Sequence, residues 1–111
     1  MALNDAALVV AANALDSTIT HVQIHSGDPG AAGTSNLARG SPARQAVSLS
    51  VDADGDLTLS SPVTFTGITA SSATTHISLW SALTSGTFYG GLALSGDQTA
   101  NAAGEYELTA L

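Results

Sequence analysis

The sequence predicts a mainly β fold: an antiparallel β-sandwich or barrel-like domain with one short N-terminal helix. Short runs of alternating apolar and polar residues recur from residue 19 to the C-terminus, which is the period of strands with one face turned inward. Gly, Asp, Asn and Pro interrupt these runs at short intervals, supplying turn chemistry between them. Only residues 4–16 carry apolar side chains at helical spacing instead.

In that first segment Asn4 is a suitable N-cap, and Asp5 places negative charge at the positive end of the helix dipole. Leu8, Ala12 and Leu15 follow at i, i+4 and i+7, with Val9 beside them, and the helix is expected to end near Asp16-Ser17, where β-branched residues begin. Ile19 to His25 then alternates, setting Val22 and Ile24 opposite Ile19 and the other odd positions. Residues 27–42 are rich in Gly, Pro, Ala and Ser, too long for a hairpin and too polar for a core, and read as a long ordered loop.

Arg44 to Val51 alternates again, with Val47, Leu49 and Val51 on one face; Asp54-Gly55 predicts a tight turn of the primed type, and Leu57-Thr58-Leu59 returns antiparallel. Pro62 to Ile68 follows, with Pro62 at a strand start, where its missing N–H does little harm. Thr75 to Ser81 sets Ile77 and Leu79 on one side and His76, Ser78 and Trp80 on the other. Thr84-Ser85-Gly86 turns the chain into Thr87–Leu94, where Gly90-Gly91 indicates a bulge or a close backbone approach. Gly96-Asp97 turns once more before a last strand over 104–111. Six or seven short strands at such spacing give the sandwich or barrel reading, and 111 residues fit one domain, 1–111, with one core.

Composition excludes several classes of function. The net charge is −7, and the only cations among Lys and Arg are Arg39 and Arg44. A nucleic-acid binder neutralises phosphates with cations, so DNA, RNA and anionic membrane surfaces are not expected partners. With no Cys there is neither a disulfide nor a thiolate metal site. No apolar run approaches the roughly 20 residues that span a bilayer, and the start Met1-Ala2-Leu3-Asn4-Asp5 lacks the basic region of a secretory signal. Charged residues make up only 10% against 44% hydrophobic ones, so the surface is charge-poor and expected to be covered by other proteins.

No cofactor, metal or catalytic group is expected. Asp52-Ala53-Asp54-Gly55-Asp56 has oxygen ligands at alternate positions, as calcium requires, yet an EF-hand needs Gly at the sixth position and Glu at the twelfth, which here are Leu57 and Val63. A solvated hairpin tip accounts for the same carboxylates. His21 and His25 lie about 13 Å apart at ~3.3 Å per residue of strand, too far to share one ion without a third element such as His76. No serine stands in a Gly-x-Ser-x-Gly elbow, and no Gly-rich turn opens a helix that would cradle phosphate. The chain is therefore expected not to be an enzyme. Trp80, on the face opposite Ile77 and Leu79, and Tyr89 are the candidate interface anchors, and Arg39 and Arg44 the candidate interface cations.

The runs His21-Val22-Gln23-Ile24-His25-Ser26-Gly27-Asp28-Pro29-Gly30-Ala31-Ala32-Gly33-Thr34, Ala43-Arg44-Gln45-Ala46-Val47, Thr75-His76-Ile77-Ser78-Leu79-Trp80, Gly86-Thr87-Phe88-Tyr89-Gly90-Gly91 and Gly104-Glu105-Tyr106-Glu107-Leu108-Thr109 resemble small virion proteins of actinobacterial phages. The resemblance covers the chain from about residue 15 onward. Proteins of that group are labelled tail fibre or minor virion proteins. The chain shows no long repeat or coiled-coil heptad of a fibre shaft, and with its short, largely apolar C-terminus no separate receptor-binding domain is expected. The resemblance thus implies a head decoration (minor capsid, or cement) protein, bridging major capsid subunits on the outer surface of the head and associating with copies of itself as a homotrimer. Its alternative is a tail-fibre or tail-tip module binding the host surface through Tyr89 and the 27–42 loop.

Overall fold

The computed structural model describes residues 3–95 and 99–110. It holds one helix, α1 (Asp5–Thr18), and eight short strands: β1 (His21–His25), β2 (Gln45–Ala46), β3 (Leu49–Val51), β4 (Leu57–Leu59), β5 (Val63–Phe65), β6 (His76–Trp80), β7 (Phe88–Ala93) and β8 (Tyr106–Leu108). All pairings are antiparallel: a four-stranded sheet in the order β2-β1-β6-β7, and two ribbons, β3-β4 and β5-β8. The expected mainly β fold with one short N-terminal helix is therefore present. The expected turn at Gly96-Asp97 and the end of the last strand at Leu111 lie outside the described residues.

The apolar face of the four-stranded sheet presents Val22, Ile24, Ile77 and Leu79, which share one side because Val22 pairs with Leu79 and Ile24 with Ile77. The ribbons contribute Leu49, Val63, Phe65 and Leu108, and connecting segments add Ile19, Ile68 and Ala100 to the same cluster. Phe65 is wholly buried; burying a side chain of this size stabilises by about 1.5–3 kcal/mol.

The helix begins where expected. The Asn4 carboxamide oxygen accepts from the Ala7 backbone N–H at 3.0 Å, satisfying one of the orphan donors of the first turn. It runs past Asp16-Ser17 to Thr18 because the Ser17 and Thr18 hydroxyls both donate to the Ala14 carbonyl, at 2.9 and 2.7 Å, tolerating the last turn instead of ending it. Only Ala12 is buried along it.

The stretch 44–51 is not one strand. Gln45 and Ala46 pair with β1, and the chain leaves that sheet at Val47-Ser48 to start the β3-β4 hairpin. Alternation continues across the break, so the pattern alone does not mark it. The hairpin turn also differs from the primed type. Gly55 alone has positive φ (84°), and its N–H donates to the Asp52 carbonyl at 3.1 Å, while Asp52 N–H donates to the Asp56 carbonyl at 3.1 Å. This is a three-residue loop ending in a left-handed glycine, another favoured hairpin connection.

Alternation also fails to describe β1 and β6, where Val22 to His25 and Ile77 to Trp80 are all buried. The second face of the sheet is roofed by the 27–42 loop. Ser26 N–H donates to the Asn36 carbonyl at 2.8 Å, Ala38 N–H to the Ile24 carbonyl at 3.2 Å, and Asn36 Nδ2 to the Asp28 carbonyl at 2.9 Å. In doing so the loop closes a second, polar interior.

The bulge expected near Gly90-Gly91 is present: Trp80 pairs with Phe88 and Leu79 with Gly90, leaving Tyr89 as the extra residue. Gly91 meets the other half of that expectation, since a Cβ there would lie 2.9 Å from Pro29 Cγ of the loop.

Candidate functional site

Beneath the 27–42 loop a chain of hydrogen bonds runs through the buried face of the sheet. His25 Nδ1 lies 2.9 Å from the Ser35 carbonyl, which can only accept, so Nδ1 carries the proton of the neutral ring and Nε2 is an acceptor. Ser78 Oγ, 2.7 Å from Nε2, donates to it and in turn accepts from Trp80 Nε1–H at 2.7 Å. His25, Ser78 and Trp80 are 1%, 0% and 6% exposed. Burial lowers the His25 pKa; hydrogen bonds to the Ser35 and Asn36 backbone oppose this, and the charges of His76 and Arg44 reinforce it. The serine–histidine pair has the contact of a nucleophile and its base, but the enclosed Oγ already receives the indole N–H. The chain of bonds ties the loop to β1 and β6.

Trp80 is thus placed inside the chain, not on a surface. The expectation of an exposed aromatic anchor followed from its position opposite Ile77 and Leu79, on a face taken to be outward. The 27–42 loop covers part of that face, and the Arg44 guanidinium lies 3.6 Å from the centroid of the indole ring. Phe88 packs against Trp80 with ring centroids 5.4 Å apart.

Arg44 is fixed from a second side. Its Nη1 donates to the carbonyls of Ala82 at 2.9 Å and Ser85 at 2.7 Å, in the loop joining β6 to β7. That loop carries Ser85 at φ 54° and Gly86 at φ 78°, successive left-handed residues that shape its tip. Burial also lowers the Arg44 pKa, although an arginine stays protonated throughout the physiological range. The guanidinium borders an open groove of about 450 Å³ lined by Gln23, Ala43, Arg44, Leu83, Thr84 and Ser85. A smaller hollow of about 180 Å³ between the end of β7 and β8 has no charged side chain in its wall.

The other expected anchors stand apart. Arg39 is exposed, and its guanidinium has no partner among the described residues. Tyr89 is 40% exposed because the bulge turns it out of the ladder. The sequence drew attention to Arg44 but not to Gln23, Leu83, Thr84 or Ser85, which join it only through the β1-β6 pairing and the 81–87 turn. Ser78 was equally hidden; its position on the same strand face as His76 and Trp80 was the available signal.

Among the described residues, the group placed to hold a cation is Asp52, Asp54 and Asp56, whose nearest carboxylate oxygens lie within 4.8 Å of one another at the exposed hairpin tip. Asp52 Oδ1 already accepts from the Asp54 and Asp56 backbone N–H groups, each at 2.9 Å. That turn chemistry accounts for the aspartate at the start of the loop. His21 and His76 each hydrogen-bond the threonine before them, through Nδ1 to Thr20 Oγ1 at 2.9 Å and Thr75 Oγ1 at 2.8 Å.

Three exposed large apolar side chains lie on the helix, Val10 at 71%, Leu15 at 40% and Leu8 at 37%, and Leu3, 51% exposed, just precedes it. A helix apolar on both faces is a buried element in a finished structure. No helix among the described residues is long and apolar enough to cross a membrane.

Neither a curated protein nor a solved structure matches the chain. The family model described as Podophage GP4 fiber I protein gp80 matches residues 3–111. The chain belongs to that family and is accordingly a phage virion structural protein of the fibre class.

Proposed function

We propose that this protein is a non-enzymatic fibre subunit of the phage tail, seated on neighbouring virion proteins through its N-terminal helix and presenting the loops around β1, β6 and β7 to the host surface. The supporting observation is the outer helix face, whose Val10 is 71% exposed although the helix carries no charge between Asp5 and Asp16. Water is a poor final environment for such a face, and burial against other virion subunits removes it. The fibre family favours this reading over head decoration with bridging of major capsid subunits, which the resemblance to actinobacterial phage proteins had put first.

Gold-labelled antibody against the chain, imaged on intact particles by electron microscopy, tests the proposal. Label at the tail is the expected result. Label spread over the head would overturn it in favour of capsid decoration.

A further inference from the structure

We propose that the groove beside Arg44 binds a carboxylate-bearing sugar, a hexuronate unit of an acidic cell-surface glycan, with the Arg44 guanidinium as the carboxylate fork. The assignment rests on the adhesion reading for its biological sense, but the binding site is argued from its own geometry.

A guanidinium has five N–H donors. Nη1 spends its two on the Ala82 and Ser85 carbonyls. The Nε and Nη2 donors have no partner among the described residues. Nε–H and one Nη2–H point in parallel, the arrangement that donates to both oxygens of a carboxylate. The side chain is already held by the indole of Trp80 on one face and by two carbonyls at its end, so little rotamer freedom is left to lose on binding.

No carboxylate among the described residues pairs with this group. No Asp or Glu lines the groove, and burial has stripped part of the guanidinium's hydration. A partly desolvated cation without a counter-ion gains more from an incoming anion than a fully hydrated surface arginine does. The chain's overall charge of −7 limits which anion fits. A single carboxylate matches one fork and meets the least repulsion, whereas a phosphate dianion would bring twice the charge against the same field.

The rest of the wall matches a sugar ring. Thr84 and Ser85 offer hydroxyls at an exposed edge, and Leu83, 53% exposed, offers an apolar surface to the ring's C–H face. The left-handed backbone at Ser85 has a role in this arrangement, because it turns the Ser85 carbonyl onto Arg44 and so fixes the fork.

The test is an NMR titration of the isotopically labelled full chain with methyl glucuronide, methyl glucoside and acetate in parallel. Glucuronide is expected to shift the Arg44 side-chain Nε–H and the Leu83, Thr84 and Ser85 amides, and to bind at least about tenfold more tightly than glucoside, the worth of one charge-assisted hydrogen bond. Arg44→Gln should remove that preference. Because Arg44 also holds the 82–85 loop, Leu83→Glu is the second variant: it leaves the clamp intact, places a carboxylate at the groove, and should abolish glucuronide binding while the rest of the spectrum is unchanged. Equal response to glucuronide and glucoside, no response to either, or glucuronide binding that persists in Leu83→Glu would overturn the proposal. Acetate binding as tightly as glucuronide would overturn the sugar assignment. Failure here with tail labelling retained removes the glycan site and leaves the fibre role standing; glucuronide binding with label on the head does the reverse.

Discussion

Replacing Ser78 by Ala removes one oxygen and strands two buried groups. Trp80 Nε1–H loses its acceptor and His25 Nε2 its donor, both in a region where Ser78 is 0% exposed. An orphaned buried polar group costs about 1–3 kcal/mol, so Ser78→Ala should destabilise by about 2–6 kcal/mol. The vacated space does not admit a replacement water, because a water oxygen must stand well beyond bonding distance from the new methyl group. Native proteins hold only about 5–15 kcal/mol in total, so the loss is a large fraction, and the melting temperature should fall on the order of 10–20 °C. Urea unfolding followed through the fluorescence of the single tryptophan gives the difference directly. Ser50→Ala is the control: it breaks an equally short bond, Ser50 Oγ to Ser60 Oγ at 2.7 Å, at an exposed site, where an effect within about 0.5 kcal/mol is expected. Equal, small effects from both substitutions would show that the buried network does not hold the loop down.

Acid should weaken the fold through His25. The unfolded chain takes up this proton near the ordinary value of 6.5, and the folded chain binds it less tightly, so the stability contribution is complete above that pH. It declines as pH falls through the lowered folded-state pKa, with His76 opposite in register and Arg44 nearby adding to the penalty; urea midpoints between about pH 8 and pH 5 should show the slope, and His25→Gln should flatten it. Gly55→Ala should cost roughly 1–3 kcal/mol in the same assay, since φ is 84° and the new Cβ would stand 2.6 Å from Leu8 Cβ of the helix. Val10→Asp, at a largely exposed position, should leave the isolated chain within about 0.5 kcal/mol of the parent while sharply lowering its copy number in purified virions, measured by quantitative mass spectrometry.

Local chemistry carried most of the fold into the sequence. Asn4 capping the helix, the Asp52–Asp56 hairpin and the bulge beside Gly90 are written in residues close along the chain, and all are present. What escaped is non-local. Gln45-Ala46 and Leu49-Ser50-Val51 alternate in phase, so nothing in the pattern says that one pair joins β1 while the next three residues join β4. The burial of Gln23, His25 and Ser78 was not legible because it depends on a loop supplying carbonyls at matched positions. Ser35 and Pro42 do so, the latter accepting from Gln23 Nε2 at 2.9 Å. For the same reason Trp80 read as an outward anchor. The groove beside Arg44 is assembled from three separate segments, and only the arginine, conspicuous on a chain with two cations, could be singled out beforehand.

The extra residue in β7 makes the free edge of its sheet an irregular template for strand addition. Among the described residues β7 is the outermost strand of its sheet, paired only with β6, and it carries no lysine or other ionised group to repel a neighbour. A regular strand in that position would invite a second copy to add on edge to edge. The kink at Tyr89, followed by Gly90 at φ 151°, spoils the spacing of the free N–H and C=O groups along that margin. A further strand, from this chain or another, would therefore find few evenly spaced partners along that margin.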